Sequence, residues 1–358
     1  MKRAFLVLMI AVSIAFVGCK KEENTVDPTP EEFSVGKGVF ILNEGTFTYA
    51  NSSLSFYDFD KNTVENNLFY RVNDAPIGDV GQSLTKIGDD LYIVVNNSRY
   101  IYKVNAKTIK YKAKIEGFNS PRYMLPVSDV KAYVSDIESP GFWTMNLSTN
   151  ELSFIETGSA TEAMVKVGNE VFVANWSNYY VPTGSNKTVQ VVDCETDAVV
   201  ATIEVAQEPN AMVVDKDNHI WVSCSGSYLE GNQDPALICI DPVTRTVIKR
   251  FDFTPVLDYP SGLTVDAAGE NVYFMNGGYG TLNIYKMSVD AMELPETPFI
   301  ASEGKLFYNL KINPQNGDLY VTDAKNYVQN GDLLRYSADG TLLGTFSLGI
   351  IPSYMLFN

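Results

Sequence analysis

Seven stretches of this 358-residue chain gather amides, hydroxyls and, in most, aromatic rings. They are Asn43-Glu44-Gly45-Thr46-Phe47-Thr48-Tyr49-Ala50-Asn51, Asn96-Asn97-Ser98-Arg99, Ser139-Pro140-Gly141-Phe142-Trp143, Asn175-Trp176-Ser177-Asn178-Tyr179-Tyr180, Ser225-Gly226-Ser227-Tyr228, Asn276-Gly277-Gly278-Tyr279 and Lys325-Asn326-Tyr327. Ring faces stack on flat apolar surfaces, and side-chain amides both donate and accept. Together they suit non-covalent capture of a large, near-neutral ligand rimmed with amides or hydroxyls. On this reading Trp176, Tyr179, Tyr228, Tyr279 and Tyr327 stack on the ligand, and Gln82, Arg122, Asn210 and Asn276 make polar contacts.

Other chemistries fit less well. His219 is the single histidine, so a Ser-His-Asp triad would have to use it, and it lies inside a regular repeat. A zinc site built on several histidines is excluded. Glu162, Asn210 and Asn309 lie near the starts of strands and could converge on a hard cation, as a calcium-dependent lactonase requires. That enzyme reading stays the minor one, and the expectation is binding with no catalytic residue, no resident metal and no cofactor.

The stretches are spaced by a repeat. A turn of Gly, Asp or Asn leads into a short apolar strand with an aromatic near its start, at Phe40, Tyr92, Tyr133, Phe172, Trp221, Tyr273 and Tyr320. Successive aromatics lie 52, 41, 39, 49, 52 and 47 residues apart. A period in the forties filled by short strands predicts an all-β, seven-bladed β-propeller, in which these aromatics pack between blades. The amide-rich stretches then follow the second strand of each blade, on the face that surrounds the central channel.

Several units open with a proline-led strand, as at Pro121, Pro209 and Pro260. The same kind of strand recurs at Ile351-Pro352-Ser353-Tyr354-Met355-Leu356, where no unit follows it, and the first unit lacks one. The C-terminal strand is therefore expected to join the N-terminal blade and close the ring, removing two sheet edges.

Ahead of the repeats stands MKRAFLVLMIAVSIAFVGC. Lys2 and Arg3 followed by a short apolar run form a secretory signal over residues 1–18. Phe16-Val17-Gly18-Cys19 resembles the bacterial lipobox, which implies lipidation of Cys19. Residues 19–36, with Lys20-Lys21-Glu22-Glu23 and two prolines, read as a tether, and residues 37–358 as the propeller. The charged start of the tether resembles the surface-export signal of Bacteroidetes-type lipoproteins, with a linker facing the periplasm as the alternative. Cys194, Cys224 and Cys239 remain; an odd number leaves at least one unpaired, and small buried thiols are expected. The formal charge of −16, deepened when the leader's Lys2 and Arg3 are removed, argues against nucleic acid as a partner.

Phe40-Ile41-Leu42-Asn43-Glu44-Gly45, Leu54-Ser55-Phe56-Tyr57-Asp58, Val64-Glu65-Asn66-Asn67-Leu68-Phe69-Tyr70-Arg71, Gly78-Asp79-Val80-Gly81-Gln82-Ser83, Ser120-Pro121-Arg122-Tyr123 and Gly349-Ile350-Ile351-Pro352 resemble the cobalamin-capturing surface lipoproteins of gut Bacteroidetes. The resemblance spans nearly the whole mature chain. It implies a lipid-anchored protein on the outer face of the outer membrane that binds cobalamin and passes it to a TonB-dependent transporter. The chain has no Asp-x-His-x-x-Gly segment of the kind that ligates cobalt in cobalamin enzymes. A surface propeller that binds a glycan or a protein is the alternative, because sugars also stack on aromatics and bond to Asn.

Overall fold

Phe40, Tyr92, Tyr133, Phe172, Trp221, Tyr273 and Tyr320, the marker aromatics of the seven repeats, are all at most 4% exposed. They occupy the second strands of seven antiparallel sheets in the computed structural model, which describes residues 33–177, 184, 186–226, 234–254, 259–278 and 281–358. The predicted seven-bladed propeller is therefore the fold. Blade 1 holds Gly38–Asn43, and blades 2 to 7 follow in chain order. Their innermost strands are Gly81–Ile87, Pro121–Pro126, Met164–Val167, Pro209–Val214, Ser261–Val265 and Phe307–Ile312. Each packs beside the next around a closed ring.

Burial of the markers between blades holds the ring together. Phe172 of blade 4 packs with Ile220 and Ile238 of blade 5, and Trp221 of blade 5 with Leu263 and Val272 of blade 6. Tyr320 of blade 7 meets Tyr57 of blade 1 with ring centroids 5.9 Å apart. The C-terminal strand Pro352–Phe357 pairs antiparallel with Gly38–Asn43, Phe40 opposite Leu356, and supplies blade 1 with its innermost strand. Closure is thus made of ladder hydrogen bonds between the two ends of the repeat region.

The details depart from the repeat in two places and from the expected loops in a third, while the cysteines are buried thiols as expected. A short helix, Leu68–Asn73, buries Leu68 and Phe69, and the Phe69 ring lies 4.9 Å from that of Tyr102 in blade 2. Blade 6 has three strands. Pro295 and Pro298 remove ladder donors from the segment that would form the fourth, leaving one isolated bridge between Ile284 and Ile300. Phe142 and Trp143, expected in a loop, lie in the strand Gly141–Asn146, with Phe142 buried against Tyr133 and the Trp143 indole N–H donating to Asp136. Finally, Cys224 and Cys239 lie on adjacent strands but out of register, opposite Ala236 and Trp221, and all three described cysteines are free and buried.

Candidate functional site

The innermost strands are not regular. In six of the seven blades the register with the second strand shifts near the upper end, and the skipped residues are Ser353, Gln82, Arg122-Tyr123, Asn210, Gly262-Leu263 and Tyr308. A bulge frees a residue from the ladder and re-aims its side chain. Every one of these residues lines a single cavity of about 480 Å³ in the channel, which a repeated bulge thus converts from a plain barrel wall into a ring of converging groups. Hydroxyls on the second strands satisfy backbone groups at the bulges: Tyr123 N donates to Ser135 Oγ and Asn309 N to Thr322 Oγ1, each at 3.0 Å. Between blades, Ser223 Oγ of blade 5 donates to the Pro260 carbonyl ahead of blade 6 at 2.8 Å.

Arg122 organises one side of the cavity. Its Nε and Nη2 each donate to Glu162 at 2.7 Å, and its Nη1 donates to Gln82 Oε1 at 2.6 Å. The guanidinium lies 5.5 Å from the ring centre of Trp176. Burial works against the charge of Arg122, but Glu162 outweighs it and raises its pKa; burial pushes the Glu162 carboxyl up, against the pull of Arg122. Across the cavity Tyr308 donates its O–H to Glu44 Oε2 at 3.0 Å. Burial also raises the Glu44 pKa, and it lowers that of Lys311, whose ammonium sits 5.8 Å from the Tyr354 ring centre.

Three polar atoms around this cavity are buried and have no hydrogen-bond partner: Trp176 Nε1, Asn210 Oδ1 and Asn309 Oδ1. Orphaned buried groups cost free energy unless a ligand or water completes them. All three line the same cavity, so whatever fills it meets one unmet donor and two unmet acceptors.

Of the residues expected to bind, Gln82, Arg122, Trp176 and Asn210 line this one cavity. Tyr327 is not among the residues that line it; its ring makes a T-shaped pair with that of Tyr308, centroids 5.8 Å apart. Asn276, the last residue of the strand Asn271–Asn276, is buried and lines a separate cavity of about 270 Å³ with Phe253, Phe274 and Tyr285. Tyr179, Tyr228, Tyr279 and Cys19 lie outside the described residues. Glu162, Asn210 and Asn309 do share the cavity, as the lactonase reading needs, yet Arg122 occupies both oxygens of Glu162. Sequence reasoning missed Tyr308 and Lys311 as channel residues; they are three apart, so strict strand alternation would put them on opposite faces, and the bulge between Phe307 and Asn309 brings both to the cavity.

His219 is explained by local structure. Asp215 accepts from the backbone of Asp217 and His219 and from the Trp221 indole N–H, and His219 Nδ1 lies 3.6 Å from the same carboxylate.

A family model described as "Domain of unknown function (DUF5074)" matches residues 37–357. No curated protein matches the sequence significantly. Among solved structures, the chain is similar to a quinonprotein alcohol dehydrogenase-like protein from Bacteroides thetaiotaomicron VPI-5482, with 19% identity, 90% of this chain and 79% of that one covered and a TM-score of 0.69. It is similar to a functionally unknown protein from Desulfotomaculum acetoxidans DSM 771, with 12% identity, coverage of 90% and 99% and a TM-score of 0.66. A protein from Lactobacillus plantarum shares 14% identity, coverage of 90% and 99% and a TM-score of 0.64. At such identities the likeness is one of fold.

Proposed function

The chain belongs to the family described as Domain of unknown function (DUF5074), and from that premise we propose that it is a lipid-anchored capture protein that binds cobalamin or a related corrinoid at the mouth of its channel and does no chemistry on it. The observation that carries this reading is the set of three orphaned polar atoms facing one cavity, beside a guanidinium whose charge is already neutralised by Glu162. A site so built pays for desolvation only if a neutral hydrogen-bonding group fills it. A corrinoid carries such groups around its rim, and its macrocycle is too large for the cavity itself. The macrocycle would lie across the mouth, with a rim side chain reaching inward. The loop that begins at Glu44, in the cavity wall, bears Phe47 and Tyr49 at 66% and 73% exposure, two large rings offered to a flat ligand.

The leader, the lipidated Cys19 and the acidic tether place the protein, in this reading, on the outer face of the outer membrane, handing its ligand to a TonB-dependent transporter. Replacing Cys19 with Ser should release the protein from membranes, and whole-cell protease should cleave the anchored form.

Titration of the mature protein with cyanocobalamin tests the central claim. Saturable one-to-one binding, with a shift of the corrinoid's visible spectrum, is the expected result. No heat and no spectral change at micromolar concentrations would overturn it. Exposed rings beside the mouth also suit a sugar, so a glycan-array signal alongside corrinoid silence would move the assignment to a surface glycan. Joint alanine replacement of Trp176 and Tyr228 should weaken corrinoid binding strongly.

A further inference from the structure

The three orphaned atoms differ in kind. Trp176 Nε1 carries an N–H and can only donate, whereas Asn210 Oδ1 and Asn309 Oδ1 can only accept. A group that satisfies all three must accept one hydrogen bond and donate two. A hydroxyl has a single proton to give and leaves one acceptor unmet. A carboxylate has none, and it would stand near Glu44 and Glu162 in the same cavity. An ammonium cannot accept from Trp176 and would share the cavity with Arg122 and Lys311. Water has the required complement; among the groups a ligand carries, a primary carboxamide, with one carbonyl oxygen and two N–H groups, matches it and can displace that water.

We infer that the cavity is a reading pocket for a primary carboxamide: the Trp176 indole N–H donates to its carbonyl, and its two N–H groups donate to Asn210 and Asn309. Most charges around the space are already paired, which favours an uncharged occupant. Arg122 is held by Glu162 and Gln82, Glu44 is bonded to Tyr308, and Lys311, the remaining cation of the wall, lies against the Tyr354 ring, where burial works against its charge. The carbonyl and the N–H side of the ligand's amide would thus be distinguished by donor and acceptor type rather than by charge. This inference rests on the reading of the channel as a corrinoid site, and it makes that site selective at one rim position.

The probes are cyanocobalamin and its monocarboxylic acids, each with a single peripheral carboxamide hydrolysed to a carboxylate, titrated against the full mature protein. One monoacid should lose at least tenfold in affinity while the others stay within about threefold of the parent. Trp176→Phe keeps an aromatic ring, though a smaller one, and removes the donor. It should lower affinity for cyanocobalamin by about three- to tenfold, the scale of one lost hydrogen bond, and should shrink the penalty for the discriminated monoacid. Its unfolding temperature should match the wild type, which separates lost recognition from lost structure. If cyanocobalamin binds but every monoacid binds equally well, the carboxamide pocket is wrong and the capture function stands. Failure of cyanocobalamin itself to bind overturns both.

Discussion

Arg122 and Glu162 come from neighbouring blades, 40 residues apart in sequence, and meet in the channel wall through two hydrogen bonds of 2.7 Å each. The pair does two things at once. It ties the innermost strand of blade 3 to the approach of blade 4, and it cancels two charges that would otherwise face the cavity.

Breaking that pair from one side should be far worse than removing it whole. Arg122→Ala leaves a buried carboxylate unpaired and should cost about 3–5 kcal/mol in urea unfolding. The double variant Arg122→Met with Glu162→Gln removes both charges and should lose much less. Equal losses in the two variants would show that the arginine acts through packing alone.

The carboxyl of Glu44 sets a pH dependence of stability. Burial raises its pKa in the folded protein above the ordinary value of 4.5, so the fold retains this proton at a pH where the unfolded chain has released it. Protons then favour folding, and the stability linked to this group, full below about 4.5, declines as pH rises toward the folded pKa. Glu162 contributes in the same direction, so the informative quantity is the difference between Glu44→Gln and wild type. Gln can still accept from the Tyr308 hydroxyl. The variant should melt with the wild type at acid pH and above it at neutral pH. A constant offset across the range would mean that Glu44 titrates normally.

Inter-blade aromatics should dominate stability. Trp221 is fully buried between blades 5 and 6, and Trp221→Ala should cost about 3–5 kcal/mol through lost transfer energy and the cavity left behind. Val243, 88% exposed in a turn, should tolerate alanine within about 0.5 kcal/mol. Chemical denaturation of the two variants side by side measures the contrast.

How much of this was visible in the residues alone follows from what each feature depends on. The marker aromatics revealed the blades because inter-blade packing demands a large apolar side chain at one fixed place in the second strand, and Phe40 through Tyr320 obey that demand. Ring closure was visible in Pro352 because an innermost strand without a following unit needs a partner sheet. Gln82, Arg122 and Asn210 are polar residues at the starts of innermost strands, and the bulges there aim them inward. Tyr308 has no such polar signature, since a tyrosine in a strand reads as packing. Asn276 reads as a loop amide, yet it ends a strand and lines a cavity with Phe253 and Phe274, an outcome set by the packing of blade 6 rather than by spacing. The orphaned state of Trp176, Asn210 and Asn309 depends on what is absent around each atom in three dimensions, which spacing along the chain does not encode.

Gly38–Asn43 is buried along its whole length, and Pro352–Phe357 covers it through a ladder that pairs Val39 to Asn43 with the C-terminal strand. Truncation before Ile351 would uncover that ladder and open the ring at the one place where its two ends meet. An exposed apolar strand edge invites association with other chains. The strand also carries Ser353 and Tyr354 into the cavity wall, so the same cut removes part of the site. The truncated protein should therefore unfold at lower temperature, associate, and lose ligand binding together, and a synthetic peptide spanning residues 351–358 should restore all three in part. Cooperative melting at the wild-type temperature after truncation would show that inter-blade packing closes the ring without the strand.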